Sequence, residues 1–508
     1  MDAPTTYIPK LELWTHQKKG LNHLLANRNF ALLMEMRTGK TATILAEFGA
    51  LEATGKAKSL LVVAPAGVYL TWVDDAQKHL SDDLKRRTKI FAWSAQGGVK
   101  AAREQEAFMV YEGPRILLVN AEALSVVPRA RELCITFLSQ SQAMLVMDES
   151  TWMKNPKAKR TIFAINKLKP LAARRRILSG LPNPQGPLDL YSQFYFLDPY
   201  ILGYPSFTQF KVRYGVMRPV PFGPRGQIIQ VVVGYRDLDD IHRKIAPYSY
   251  RVKLEDCYDM PAKVYMRREV TMTTEQQRIY RQIKDFATAS LGNEEHVTST
   301  MVITQLLRLH QVLCGHTMSD NGVEIDISEN RTAALLEQLE DVPENEKAII
   351  WCSYDADVKK VATALAKTYN QDLRYVDQNG NEKIKEPTWP DDPVVARFWG
   401  GNRSTREEEE KRFKTDPKCR FMVATAAAGG RGRTWDIANL NIYYSNTPNL
   451  EHRLQSEERP QAKGKTVPVA YVDLICRGTI EEKIIKALRE KLNLSSIITG
   501  DDYKEWLI

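Results

Sequence analysis

Phe30 to Thr41 reads FALLMEMRTGKT, and this stretch decides the fold. Its first five residues, Phe30-Ala31-Leu32-Leu33-Met34, form an apolar run of the length of a buried strand. The run breaks at Arg37-Thr38-Gly39-Lys40-Thr41 and resumes with helical periodicity as ATILAEFGALEA. Strand, tight loop and helix N-terminus together make an anion site, because loop N–H groups and the helix dipole face one point. On that reading Arg37, Thr38 and Gly39 line the phosphates, Lys40 reaches the β- and γ-phosphates, and the Thr41 hydroxyl holds Mg2+. The general pattern GxxxxGK[ST] asks for glycine where Met34 stands, and many such loops carry another at the place of Arg37. Taken alone, Gly39-Lys40-Thr41 fits a plain strand-to-helix turn as well as a phosphate loop. Residues further along the chain separate the two.

Moving outward, Ser59–Ala64 (SLLVVA) and Ile116–Asn120 (ILLVN) repeat the buried-strand pattern. Ser59–Ala64 is followed by Pro65-Ala66-Gly67 and a helical stretch, which predicts a doubly wound parallel sheet with its ligand beyond the carboxyl ends of the strands. A fourth strand, Ala143–Met147, delivers Asp148 and Glu149 at its end. An acidic pair leaving an apolar strand is costly unless it meets a cation. Asp148 is therefore expected to bind Mg2+ through water, with Glu149 counted beside it and Thr41 at the metal, and Glu149 to polarise an attacking water. Upstream, LELWTHQKKGLNHLL (residues 11–25) reads as an amphipathic helix, and Gln17 in it can read an adenine edge, since its amide both donates and accepts.

Length and composition set the frame for these motifs. The 508 residues suffice for two or three domains, 43% of them are apolar and 26% charged, and no run approaches a membrane span. The six cysteines are scattered with no CxxC pair, which fits a reducing cytoplasm and indicates neither zinc nor a disulfide framework. His310, Cys314 and His316 are read as packing and surface residues rather than as a metal site, for want of a second cluster. The net charge of +9 is compatible with a polyanionic partner, with cationic clusters at Lys85-Arg86-Arg87, Arg174-Arg175-Arg176 and Lys411-Arg412.

A second α/β pattern begins near Asn330, with strands at Lys347–Cys352 and Phe421–Thr425 and an exposed insertion over Tyr369–Pro393. After Phe421–Thr425 comes Ala428-Gly429-Gly430-Arg431-Gly432-Arg433, where glycines and arginines beyond a strand suit close backbone approach to phosphate.

In this order the motifs resemble those of the Swi/Snf-type DNA translocases of helicase superfamily two, particularly compact bacterial and phage-like members. The resemblance runs from about Leu11 to about Lys491. It implies an α/β fold of two RecA-like, doubly wound parallel-sheet lobes with a helical protrusion between them and a C-terminal brace helix. The corresponding spans are 1–198, 199–329, 330–477 and 478–508. Gln17 matches the adenine-reading glutamine, Gly39-Lys40-Thr41 the first motif, Asp148-Glu149 the second, and Ser179-Gly180-Leu181-Pro182 a Thr-Gly-Thr-Pro signature. Gly430, Arg431 and Gly432 fall in the fifth motif, which couples nucleotide to DNA. Gln455–Lys465 matches the sixth.

Two departures bear on chemistry. Thr151 stands where the family has histidine, and the second of two arginines in the sixth motif is Ala462. Arg459 fills the first place and is expected to be the arginine finger, unless Lys463, Arg431 or Arg433 substitutes. The resemblance implies an ATP- and Mg2+-dependent motor, catalytic through Lys40, Glu149 and Arg459. It would move on double-stranded or branched DNA with little sequence preference, without a membrane, in a bacterial or phage-infected cytoplasm. Two alternatives stay open: a strand-separating or branch-migrating helicase on forked DNA or RNA, and a nucleic-acid clamp with little hydrolysis.

Overall fold

The computed structural model of the chain describes residues 7–222, 227–257, 262–292, 299–318, 323–378, 381–429, 433–462 and 464–499. They fall into two compact units, each with its own parallel sheet. Residues 7–216, 233–257 and 493–499 make up the first unit, and 217–222, 227–232 and the described part of 262–492 the second.

The first unit is built on seven parallel strands: β1 (Asn29–Met34), β2 (Ser59–Ala64), β3 (Lys89–Ala92), β4 (Arg115–Asn120), β5 (Ala143–Met147), β6 (Arg174–Leu178) and β7 (Ser249–Val252). Their order across the sheet is β3-β4-β2-β5-β6-β1-β7. Successive side chains of a strand point to opposite faces, and here both faces are covered. Ala31 and Leu33 of β1 join Leu61, Val63, Leu145 and Met147 in one core. Phe30, Leu32 and Met34 join Leu60, Val62, Met144 and Val146 in the other. That double burial is why these strands read as unbroken apolar runs rather than as alternating ones.

Register places the carboxyl ends of the central strands at one level. Val63 lies beside Met147, Met147 beside Ile177, and Ile177 beside Ala31. The loops that leave Met34, Ala64, Met147 and Leu178 therefore share one edge of the sheet. Helix α1 (Thr15–Ala26) precedes β1, α2 (Lys40–Ala53) follows it, and α3 (Thr71–His79) follows β2.

One buried ion pair ties this arrangement together. Arg176 on β6 and Glu47 on α2 are both fully buried, with Nη2 to Oε1 at 2.5 Å and Nε to Oε2 at 3.0 Å. The same guanidinium donates to the carbonyls of Leu24 and Asn27 at the C-terminal end of α1, which the helix itself leaves open, and to Arg28 O just beyond it. Neighbouring Arg174 also donates to Leu24 and Asn27, and Arg175 to Lys169 O. Of this arginine cluster Arg176 is buried and the other two are partly buried, and all three are bonded to backbone carbonyls.

The second unit carries six parallel strands: β8 (Lys263–Glu269), β9 (Lys347–Cys352), β10 (Val395–Phe398), β11 (Phe421–Thr425), β12 (Ala438–Tyr443) and β13 (Val469–Ile475). They are ordered β8-β13-β12-β9-β11-β10, again between two cores. Helices α4 (Arg406–Thr415) and α5 (Leu450–Glu457) belong to this unit. The last helix, α6 (Ile480–Thr499), contributes residues to both units. In the first unit Ile498 joins a core, and the Ser495 hydroxyl donates to Asn183 Oδ1 at 2.8 Å.

The stretch 199–329, expected to be a helical protrusion, is only partly helical. Helices occupy Phe207–Tyr214, Leu238–Ile245, Thr274–Gly292 and Ser299–Leu313. Between them, however, Gly215–Phe222 and Gln227–Tyr235 form a two-stranded ladder, β7 is an edge strand of the first sheet, and β8 is an edge strand of the second. Edge strands pair on one side only and lack the continuous apolar run that marks a central one. The Tyr369–Pro393 insertion contains a short antiparallel ladder of Arg374–Val376 with Glu382–Ile384.

Removing one partner of a buried pair strands the other charge, at a cost of about 3–5 kcal/mol. Glu47→Ala is therefore expected to lower the thermal midpoint of the full chain sharply. Replacing the exposed acid Glu408 by alanine should change the unfolding free energy by no more than about 0.5 kcal/mol, and calorimetry of the two variants compares them directly.

Candidate nucleotide site

Gly39 is in the left-handed region (φ 87°) and caps α2, where glycine avoids the clash a β-carbon would bring. Such a β-carbon would also run into the Gln17 amide. Arg37 is left-handed too (φ 65°), an uncommon state for a residue with a side chain. Since only one glycine serves the loop, its shape is imposed by neighbours. Gln17 Nε2 donates to Thr38 O at 3.2 Å and the His16 Nε2–H donates to the same carbonyl at 2.8 Å. The Thr38 hydroxyl donates to Glu35 O at 2.7 Å. Glu35 in turn accepts from Arg251 Nη2 and from Leu254 N, at 2.8 and 2.9 Å. Arg251, on β7, also donates to Leu33 O and Gly180 O, tying the loop after β1 to the loop after β6.

Lys40 is buried, and its ammonium donates to Met34 O (2.9 Å) and Glu35 O (3.3 Å). Gln17, assigned from sequence to an adenine edge, accepts from Trp14 N at 2.9 Å through Oε1 while its amide nitrogen holds Thr38. It is a brace of the loop in this state.

Asp148 and Glu149 leave β5 as expected and are 5% and 9% exposed. Asp148 Oδ2 accepts from the Trp72 indole at 2.9 Å, and Oδ1 accepts from Glu149 N at 2.9 Å. Glu149 is left-handed (φ 45°), which turns the chain sharply at the sheet edge. Beyond it, the Ser150 hydroxyl donates to Gln193 Oε1, and Gln193 Nε2 donates to Pro182 O, both at 2.6 Å. The acidic turn and the Ser179–Pro182 turn are thus joined through one buried glutamine. Asp75 stands on α3, three residues after Trp72. Burial pushes the Asp75 carboxyl up, and the charge of Asp148 adds to that, against the pull of Lys78. The acids and Thr41 make an all-oxygen donor set, which suits a hard divalent cation such as Mg2+.

Thr38, Gly39, Lys40, Thr41, Asp148 and Glu149 are brought to one sheet edge of the first unit, with Gln17 against the loop. Trp72 and Asp75 were missed in the sequence, although their i, i+3 spacing places both on one face of α3.

Arg459 belongs to the second unit and is 2% exposed. Its guanidinium donates to Arg433 O, and its own carbonyl accepts from Trp435 N at 2.8 Å. Arg433 pairs with Glu410 of α4, which also accepts from the Trp435 indole at 3.0 Å. Gly430, Arg431, Gly432 and Lys463 lie outside the described residues.

Nearby chemistry of the second unit is taken up by buried ion pairs. Arg453 holds Asp473 and Glu457. Among the described residues His310, Cys314 and Glu481 come within 4.8 Å of one another, in ligand-like proximity. Burial opposes the charge of Glu481, yet two 2.7 Å bonds from Arg331 hold its carboxyl down at about 2, so a guanidinium already stands where a cation would go. His310 Nδ1 lies 2.8 Å from the Tyr354 hydroxyl.

The sequence matches the SNF2-related domain over residues 16–318, more than half of the chain. The chain belongs to the SNF2-related family. Members of that family are ATPases of helicase superfamily two. The SNF2-related chain is 24% identical to the TATA-binding protein-associated factor BTAF1 of Arabidopsis thaliana, over 96% of this chain and 25% of the relative. To YwqA of Bacillus subtilis, named as an ATP-dependent helicase/translocase, it is 25% identical over 95% of this chain and 48% of the relative. It spans from a quarter to about half the length of these curated relatives. The Sulfolobus solfataricus SWI2/SNF2 ATPase core in complex with dsDNA aligns at 22% identity and a TM-score of 0.41, covering 99% of this chain and 96% of that one. Among the described residues no helix is long and apolar enough to cross a membrane.

The glycine geometry yields a matched test. Gly55 has a left-handed φ of 69° but open space around it, so Gly55→Ala should cost only the backbone strain, about 1–2 kcal/mol. Gly39→Ala must in addition displace Gln17, and is expected to destabilise further, with release of the loop visible as faster amide exchange at Thr38 and Lys40.

Proposed function

We propose that this chain is an ATP-driven motor that moves along double-stranded DNA, coupling ATP hydrolysis to translocation or remodelling. The observation that carries the reading is the meeting of the Lys40 loop with Asp148 and Glu149 beyond the carboxyl ends of one parallel sheet. Family membership and the translocase name of YwqA support it.

In this reading the substrate triphosphate draws the Lys40 ammonium from the carbonyls of Met34 and Glu35 onto its β- and γ-oxygens. The N–H groups of Thr38 to Thr41 and the start of α2 face the same oxygens. Mg2+, when bound, supplies positive charge to the β- and γ-phosphates; Thr41 and Asp148 would hold it. Glu149 accepts a proton from the attacking water at its carboxylate. Arg459 supplies positive charge to the transferring phosphoryl group, the role its place in the sixth motif implies. Arg37, Gly430, Arg431 and Gly432 are assigned to phosphate contact on the same footing. DNA is gripped mainly through its phosphates, which makes binding nearly sequence-blind.

Ala462, in the place of a second arginine, favours a competing reading, a DNA clamp with weak hydrolysis. Turnover separates the two. Duplex DNA is expected to stimulate ATPase more than single strands do. Lys40→Ala and Glu149→Gln should each lower kcat at least about a hundredfold, and Arg459→Ala about a thousandfold. Duplex affinity should fall log-linearly with salt, by about 0.9 per phosphate contacted. Background turnover with saturating duplex, despite measurable ATP binding, selects the clamp.

A further inference from the structure

Helix α3 faces the candidate site through Trp72. Its indole N–H donates to Asp148 Oδ2 at 2.9 Å. Trp72 is 1% exposed and packs in the same core as Leu60, Val62 and Met144 of β2 and β5, so its ring has no freedom to turn away. With the Glu149 amide on Oδ1 and the indole on Oδ2, both oxygens of Asp148 are oriented before any ligand arrives.

We infer that Trp72 of α3 is a metal-positioning residue, which orients Asp148 for a divalent cation carried with the nucleotide. The inference rests on the proposed nucleotide site and deepens it. Trp72 does not touch substrate; it acts through the carboxylate it holds. Partners of this outer kind typically contribute about 10–100-fold to metal affinity, because a ligand left to rotate must be ordered at the moment of binding.

The test separates metal from nucleotide. Binding of a fluorescent ADP analogue by the full chain is measured in EDTA and across a Mg2+ titration. Trp72→Phe, which keeps the ring and deletes the N–H, should bind the analogue in EDTA within about twofold of wild type while its Mg2+ half-saturation rises about tenfold. Trp72→Leu, which likewise deletes the N–H, should shift the same midpoint in the same direction, and it serves alone should Trp72→Phe fail to fold. An unchanged Mg2+ midpoint in either folded variant overturns the inference, as does an equal loss of affinity with and without Mg2+. Asp148→Asn is the reference: if it binds Mg2+ and the analogue as wild type does, the nucleotide-site reading itself fails, whereas a lost Mg2+ response there beside an unmoved midpoint in Trp72→Phe sinks only the role of α3.

Discussion

The strand-to-helix loop after β1, with one glycine, needs outside support, and much of the first unit can be understood as that support. Glycine-rich loops curl because their backbones tolerate positive φ, whereas Arg37 is driven there at φ 65°. The strain is met by bonds from three directions: Gln17 and His16 of α1 on the Thr38 carbonyl, Arg251 of β7 on Glu35, and Lys40 on the carbonyls of Met34 and Glu35. Residues far apart in sequence thus hold eight consecutive ones in shape. The glycine that remains, Gly39, is the one whose β-carbon would collide with this scaffolding.

The same economy governs charge. A net +9 suggests a molecule made to meet a polyanion, yet several of its arginines are buried and engaged inside the fold. Arg176 closes the end of α1 and pairs with Glu47, Arg453 pairs with Asp473 and Glu457, and Arg331 neutralises Glu481. Arg412, from another cluster in the sequence, donates to the carbonyls of Pro390 and Val395. A guanidinium has five donors in a fixed fork, so one buried arginine can satisfy several carbonyls at once. The count of basic residues therefore overstates the positive surface left for a polyanion.

Legibility followed burial. Strands covered on both faces, such as β1, β2, β5, β9 and β11, stood out because their residues are apolar without interruption. Edge strands did not: β7 carries Arg251 for the loop and β8 exposes most of its residues, so neither shows the pattern of a buried strand. Lys40, Thr41, Asp148 and Glu149 were recognisable because each follows an apolar strand at a fixed offset. Trp72 and Asp75 were not, since an indole that orients a carboxylate has no motif of its own and reads as one more core aromatic.

By itself the sequence determined the class of fold, several of the doubly buried strands of each sheet though not Ala438–Tyr443 or Val469–Ile475, and which side chains stand at the carboxyl ends of the strands it marked, because hydrophobic periodicity and strand-to-loop breaks are local properties of the chain. Tertiary structure alone decided what those side chains touch. It made Gln17 a brace rather than a free amide, bonded the Arg174–Arg176 cluster to backbone carbonyls, and set Trp72 of α3 against Asp148. The reason is that hydrogen bonds and ion pairs form between groups close in space, and closeness between residues tens or hundreds of positions apart exists only once the sheet has ordered its strands.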